Sequence, residues 1–119
     1  MNLTILGTGN ATVTHCYNTC LVLHEGGQYL LVDGGGNGLL QQLEKARLRW
    51  QDMRTVFVTH KHMEHLLGIL WLMRMMCQSW RRGTYEGEAA IYGQEGAHVD
   101  DKPFSLYNVS DSGRIDVRP

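Results

Sequence analysis

The sequence predicts an α/β layer structure, and three observations predict it. Short β-prone runs and two helical patterns follow one another in the order β, ββ, α, β, α, β, ββ. Connections between them are short and built around glycine, with 14 Gly against 2 Pro in 119 residues. Hydrophobic residues make up 43% and charged residues 19%, enough to build a core and too apolar for a disordered chain.

Residues 3–6 (Leu-Thr-Ile-Leu) read as a strand that stops at Gly7-Thr8-Gly9. Residues 10–19 are polar and irregular, as in a surface loop. Residues 20–24 and 29–33 read as the arms of a β-hairpin around Glu25-Gly26-Gly27-Gln28. Both arms are almost wholly apolar, so both of their faces are expected to be buried. Gly34-Gly35-Gly36-Asn37-Gly38 follows, a run that allows close backbone approach. Leu39, Leu40, Leu43, Ala46 and Trp50 then recur at helical spacing, with Asn37 as the expected N-cap. Residues 55–59 form a β-branched strand running into His60, and 66–80 an apolar, buried helix. A short strand at 89–93 and a hairpin of 104–109 with 114–117 around Asp111-Ser112-Gly113 complete the order. Residues 93–103 carry no regular pattern.

Composition narrows the function. A formal net charge of -1 argues against a strongly basic nucleic-acid groove. Three cysteines cannot form a complete intramolecular disulfide framework, and reduced thiols in a cytoplasmic protein are expected. No positively charged leader precedes the first strand, and no apolar run reaches the ~17–25 residues of a membrane span, so no membrane partner is expected.

The informative segment is Thr59-His60-Lys61-His62-Met63-Glu64-His65, which holds three of the six histidines. His60 and His62 are two apart, and on an extended strand end they point to the same side. Glu64 and His65 open the next helix, whose N-terminal dipole favours a carboxylate. Nitrogen and oxygen donors without thiolate suit Zn2+, Mn2+ or Fe2+. Zinc-bound water loses a proton near pH ~7, which makes hydrolysis the natural chemistry. The bland alternative is a solvated, histidine-rich turn, and the agreement of spacing, strand and helix weighs against it.

This segment resembles the T-H-x-H-x-D-H signature of the metallo-β-lactamase superfamily. Leu6-Gly7-Thr8-Gly9 and Asn18-Thr19-Cys20 resemble the opening of its ribonuclease Z-like branch. Leu31-Val32-Asp33-Gly34-Gly35 resembles its aspartate-glycine turn, Leu66-Leu67-Gly68 the start of the following helix, and Ile91-Tyr92-Gly93 a later strand end. The resemblance implies an αββα sandwich of which residues 1–119 supply the first half, a mixed β-sheet with helices packed on it. It implies one metal at His60 and His62 and a second at Glu64 and His65. It further implies that Glu64 doubles as the catalytic proton-transfer group and that Asp33 orients the site. One or two Zn2+ ions would support attack on a phosphodiester, possible substrates including RNA. A carboxylic or sulfate ester, or a lactone, is the alternative substrate class.

Two departures bear on this expectation. Glu64 stands where the signature has Asp and reaches about one methylene further. The second-half ligands are absent, although Arg114-Ile115-Asp116-Val117-Arg118-Pro119 resembles the strand leading to the third ligand histidine. A missing C-terminal half or a homo-oligomer would complete the site, and one flank of the core is expected to be open. These departures also admit a third reading, a non-catalytic metal-binding or assembly module.

Other groups have ordinary explanations. His15, Cys16 and Cys20 lack a zinc or redox spacing, and Cys20 and Cys77 are expected in the core. His98 is expected on an exposed helix or loop and Asp111 in turn chemistry. The glycine run before the first helix lacks the Lys-Ser/Thr of a P-loop. Trp71, Met73, Met75, Met76 and Trp80 are expected mostly in the core. Arg74, Arg81, Arg82 and Lys61 are expected to be solvated charges.

Overall fold

A computed structural model describes residues 1–10, 12, 14–59, 62–86, 88–93, 104–109 and 115–118. Its strands are β1 (Asn2–Gly7), β2 (Cys20–Glu25), β3 (Gln28–Val32), β4 (Thr55–Phe57), β5 (Ala89–Gly93), β6 (Phe104–Val109) and β7 (Ile115–Arg118). They form one sheet in sequence order. The pairs β1–β2, β2–β3 and β6–β7 are antiparallel, and β3, β4, β5 and β6 run parallel. Helix α1 (Leu39–Lys45) links β3 to β4, and α2 (Met63–Arg81) links β4 to β5. The two helices contact each other, as two crossovers of one hand between neighbouring strands require.

One sheet face is sealed by these helices. Cys20, Val22, Leu31, Val56, Ala89 and Ile91 point into it and meet Leu39, Leu43, Ile69, Leu72 and Met76. The opposite face carries Leu21, Leu23, Leu30, Val32, Phe57 and Tyr92, which are only half-buried, while Leu3 and Ile5 are 56% and 58% exposed. The expectation of a hairpin buried on both faces therefore holds for one face. The open flank expected from the resemblance is this second face.

The elements differ from the sequence expectations at their ends. Helix α1 stops at Lys45, not at Trp50, because Arg47 takes φ +60 and breaks the helical ladder. The chain then makes a single 3-10 turn at Trp50–Asp52. Gly38, not Asn37, occupies the N-cap, with no side-chain cap. Helix α2 begins at Met63, ahead of the apolar run, with His62 as its extended N-cap. It is buried along one stripe only: Ile69, Leu72 and Met76 are sealed, whereas Leu70, Trp71 and Trp80 face solvent. The expected core placement thus fails for Trp71 and Trp80. Cys20 is buried, Cys77 packs against the core, and Cys16 is exposed. Residues 94–103, with His98, and 110–114, with the turn at Asp111, lie outside the described residues. No helix among the described residues is long and apolar enough to cross a membrane.

Candidate functional site

The described ones among the predicted site residues, Asp33, His62, Glu64 and His65, lie beyond the carboxyl ends of the parallel strands β3 and β4. Asp33 follows β3 directly, and Thr59 lies just beyond β4. Asp33 is 3% exposed and takes φ +60, a conformation Asp tolerates better than most residues. Its backbone N–H donates to the Phe57 carbonyl at 2.8 Å, extending the β3–β4 pairing. The Thr59 N–H donates to its Oδ1 at 2.8 Å and the Thr59 hydroxyl to its Oδ2 at 2.7 Å. His65 Nδ1 lies 2.8 Å from the same Oδ2. A carboxylate only accepts, so Nδ1 carries the proton. In the neutral ring this leaves the Nε2 lone pair on the outward side. A carboxylate that fixes the tautomer of a metal-binding imidazole makes the same arrangement.

The backbone behind Asp33 docks on the first turns of α2. Gly34 N–H donates to the His65 carbonyl at 2.8 Å, and Gly68 N–H to the Gly35 carbonyl at 3.0 Å. This approach requires two glycines. A Cβ on Gly34 would stand 2.5 Å from the Ile69 nitrogen, and one on Gly68 would overlap the Gly34 carbonyl. The predicted close approach of the glycine run is therefore to helix α2.

Glu64 and His62 complete the described part of the cluster. Glu64 Oε1 lies 3.8 Å from His62 Nδ1 and 3.8 Å from His65 Nε2. Ligands sharing a tetrahedral zinc with bonds of ~2.1 Å stand about 3.4 Å apart, so each pair is close to the edge of such a site. Among the described residues, however, no three His, Cys or carboxylate groups converge on one metal position. His62 is 71% exposed, while Glu64 and His65 are 23% and 15% exposed. His60 lies outside the described residues. The donor chemistry fits a zinc-like ion, and the described donors offer it Glu64 paired with each imidazole.

Two residues at the site escaped the sequence reading. Thr59 belongs to the quoted motif, but its part in fixing Asp33 follows only from the turn geometry. Tyr17, from the β1–β2 loop, places its hydroxyl 2.6 Å from the Gly34 carbonyl and 2.8 Å from the Gly36 carbonyl. Burial, and next the neighbouring Cys20, push its phenol above the usual range, so it stays a donor. Burial and then Asp33 push the Cys20 thiol up to about 12, which keeps it protonated and inert. A groove of about 510 Å³ opens at the other end of the sheet, beside Tyr29, Asp52 and Arg54, and contains none of these groups.

Comparison with known proteins agrees with this architecture. The family described as anti-Pycsar protein Apyc1 matches residues 1–92. Ribonuclease Z of Pyrococcus horikoshii is 35% identical over 109 residues, 91% of this chain and 32% of that protein. Ribonuclease Z of Borrelia duttonii is 33% identical over 79 residues, 66% of this chain and 24% of its own length. The chain thus spans about a quarter to a third of these relatives. Human tRNase Z, short form (ELAC1), superposes with a TM-score of 0.68 at 30% identity, over 81% of this chain and 35% of that one. The metallo-β-lactamase fold protein YhfI from Bacillus subtilis does so with 0.72 at 19% identity, over 90% and 46%, which supports the fold alone. Because that family matches residues 1–92, more than three quarters of the sequence, and the relatives and mixed sheet agree with it, the chain belongs to the Apyc1 family, on the ribonuclease Z-like side of the metallo-β-lactamase superfamily.

Proposed function

We propose that residues 1–119 are the N-terminal half of a metal-dependent hydrolase domain that cleaves phosphodiesters. The observation that carries this reading is the buried Asp33 bonded to His65 Nδ1, with Glu64 within 3.8 Å of both His62 and His65. His60, His62, Glu64 and His65 would hold one or two Zn2+ ions. Bound there, zinc supplies Lewis acidity, stabilising charge on a phosphoryl oxygen and making a water acidic enough to attack at neutral pH. The chain's own part is orientation and proton movement. Asp33 holds the proton of His65 on Nδ1 and leaves Nε2 to bind. Glu64, at the mouth of the cluster, takes a proton from the attacking water or gives one to the leaving oxygen. The name of the relatives, ribonuclease Z, supports RNA as a substrate of this class, and ligands from a C-terminal half or a second copy would close the site.

Glu64 in place of the signature Asp, and a span of about a third of the relatives' length, favour a second reading for this chain by itself, a metal-binding or assembly module without turnover. One experiment separates the two. Zinc-stimulated hydrolysis of a chromogenic phosphodiester is measured in the longest form of the protein, with carboxylic esters as controls. His62→Ala is expected to abolish the zinc-stimulated rate. An unchanged rate in that variant would sink the hydrolase reading, and zinc binding with no turnover of any substrate would select the module.

A further inference from the structure

Tyr17 reaches the site from a loop remote in sequence, and its contacts are aimed at one short segment. Its ring lies against Gly35, which takes φ +64, so closely that a Cβ there would overlap the ring. Its hydroxyl proton is shared between the Gly34 and Gly36 carbonyls, at 2.6 and 2.8 Å. The same segment is held from the opposite side by α2, through Gly34 N–H to the His65 carbonyl and Gly68 N–H to the Gly35 carbonyl. Residues 33–36 are therefore gripped between a phenol and a helix. Asp33 is the first residue of that segment, and its Oδ2 meets His65 Nδ1 at 2.8 Å. A shift or rotation of this segment carries the carboxylate with it and changes the distance and angle at the ring N–H.

The loop carrying Tyr17 is itself tied down. Gly9 N–H donates to the Tyr17 carbonyl and Thr19 N–H to the Gly9 carbonyl, both at 2.9 Å. A Cβ on Gly7 would stand 2.5 Å from the Tyr17 carbonyl oxygen, so the backbone sits directly against β1. The phenol is thus mounted on the sheet and does not drift with its loop.

We propose that Tyr17 is a positioning residue: by holding the Gly34 and Gly36 carbonyls it sets Asp33 against His65, and so the tautomer and aim of an imidazole in the candidate metal site. The consequence for metal rests on the proposed function, whereas the geometric part does not. An Asp–His pair at a helix start therefore depends on a hydroxyl from the other side of the sheet edge.

The test is Tyr17→Phe in the whole chain, which keeps the ring over Gly35 and deletes one oxygen. The readouts are the 15N and 1H signals of the His65 imidazole and zinc affinity by competition with a chromogenic chelator. Expected are a shifted Nδ1–H signal, faster exchange of that proton with water, and zinc binding weakened about tenfold, the low end for a partner outside the ligands. Ile91→Val, a mild core change away from the loop, is expected to leave both readouts in place. Wild-type His65 signals in Tyr17→Phe would overturn the proposal. Shifted signals with zinc affinity unchanged would uphold the positioning of His65 and overturn its consequence for metal. If the variant does not fold, the Tyr17 hydroxyl proton of the unaltered chain decides: a resolved, slowly exchanging line supports the clamp, and exchange at the solvent rate overturns it. An unaltered chain that binds no zinc would place the remaining ligands of the proposed function outside residues 1–119, and the His65 signals then decide the role of Tyr17 by themselves.

Discussion

Asp33→Asn changes one buried atom from acceptor to donor and leaves size and shape intact. Asn also tolerates φ near +60, so the backbone is not strained by the change. Three interactions are affected: Thr59 N–H to Oδ1, Thr59 hydroxyl to Oδ2, and His65 Nδ1 with Oδ2, at 2.8, 2.7 and 2.8 Å. The Thr59 N–H can only donate, so the amide oxygen must take the Oδ1 place. The amide nitrogen then faces the Thr59 hydroxyl and His65 Nδ1 as a donor. The hydroxyl can rotate to accept. His65 must give up its Nδ1 proton and carry it on Nε2, the nitrogen turned toward Glu64. Hydrogen bonds to a charged group contribute about 1.5–3 kcal/mol and neutral ones about 0.5–1.5 kcal/mol. Replacing three of the first kind by three of the second costs about 3 kcal/mol. For a chain of this length that is a fall of roughly 10 °C in Tm. Zinc affinity falls about 10- to 100-fold, because the binding nitrogen is now protonated. Circular dichroism melts, chelator competition and 15N NMR of the ring read the three effects separately. A variant whose His65 still carries its proton on Nδ1, or whose Tm stays within about 2 °C, would refute the argument.

Three further outcomes follow from the packing and the titrating groups. Gly68→Ala places a Cβ into the Gly34 carbonyl and should lower stability by about 2–3 kcal/mol, read by urea unfolding; a neutral effect would mean that the loop does not dock on α2 as described. Cys20 is raised from 9.0 to about 12, and burial raises Tyr17 in the same direction. Both acids are therefore favoured neutral in the fold, so their stabilisation is full below pH 9 and is lost as pH rises toward 12; unfolding free energies that stay flat between pH 8 and 11 would contradict this. The Tyr85 hydroxyl is buried with no hydrogen-bond partner among the described residues, between Trp50 and Arg54. Tyr85→Phe should leave stability unchanged or raise it by up to about 1 kcal/mol, and a loss above about 1 kcal/mol in the same unfolding assay would show that the hydroxyl has a partner.

Much of this was readable because periodicity reports burial. Strand and helix order and the placement of Asp33 and Glu64 at element ends follow local patterns. What escaped depends on contacts between distant segments. The early end of α1 rests on one positive φ at Arg47, a residue type that does not advertise it. Trp71 and Trp80 are apolar but face outward, because helical phase outranks side-chain type. Tyr17 sits 17 residues before the carbonyl it holds, in a segment with no periodicity at all. Glycines marked a close approach without naming the partner, which proved to be the backbone of α2.

The bonds around Asp33 serve two ends at once. They orient an imidazole, and they also rivet the tips of β3 and β4 to the start of α2. Most active sites trade stability for chemistry, and removing their polar groups often makes the protein more robust. In the proposed site the same bonds also hold the fold together, so purifying selection for mere folding would keep Asp33, Thr59 and His65 in a descendant that no longer turned over any substrate. Glu64 is different: its described contacts are approaches of 3.8 Å to the imidazoles of His62 and His65, outside the bonds of that joint. If the proposed function holds, drift in a lineage that abandoned catalysis would therefore register first at Glu64.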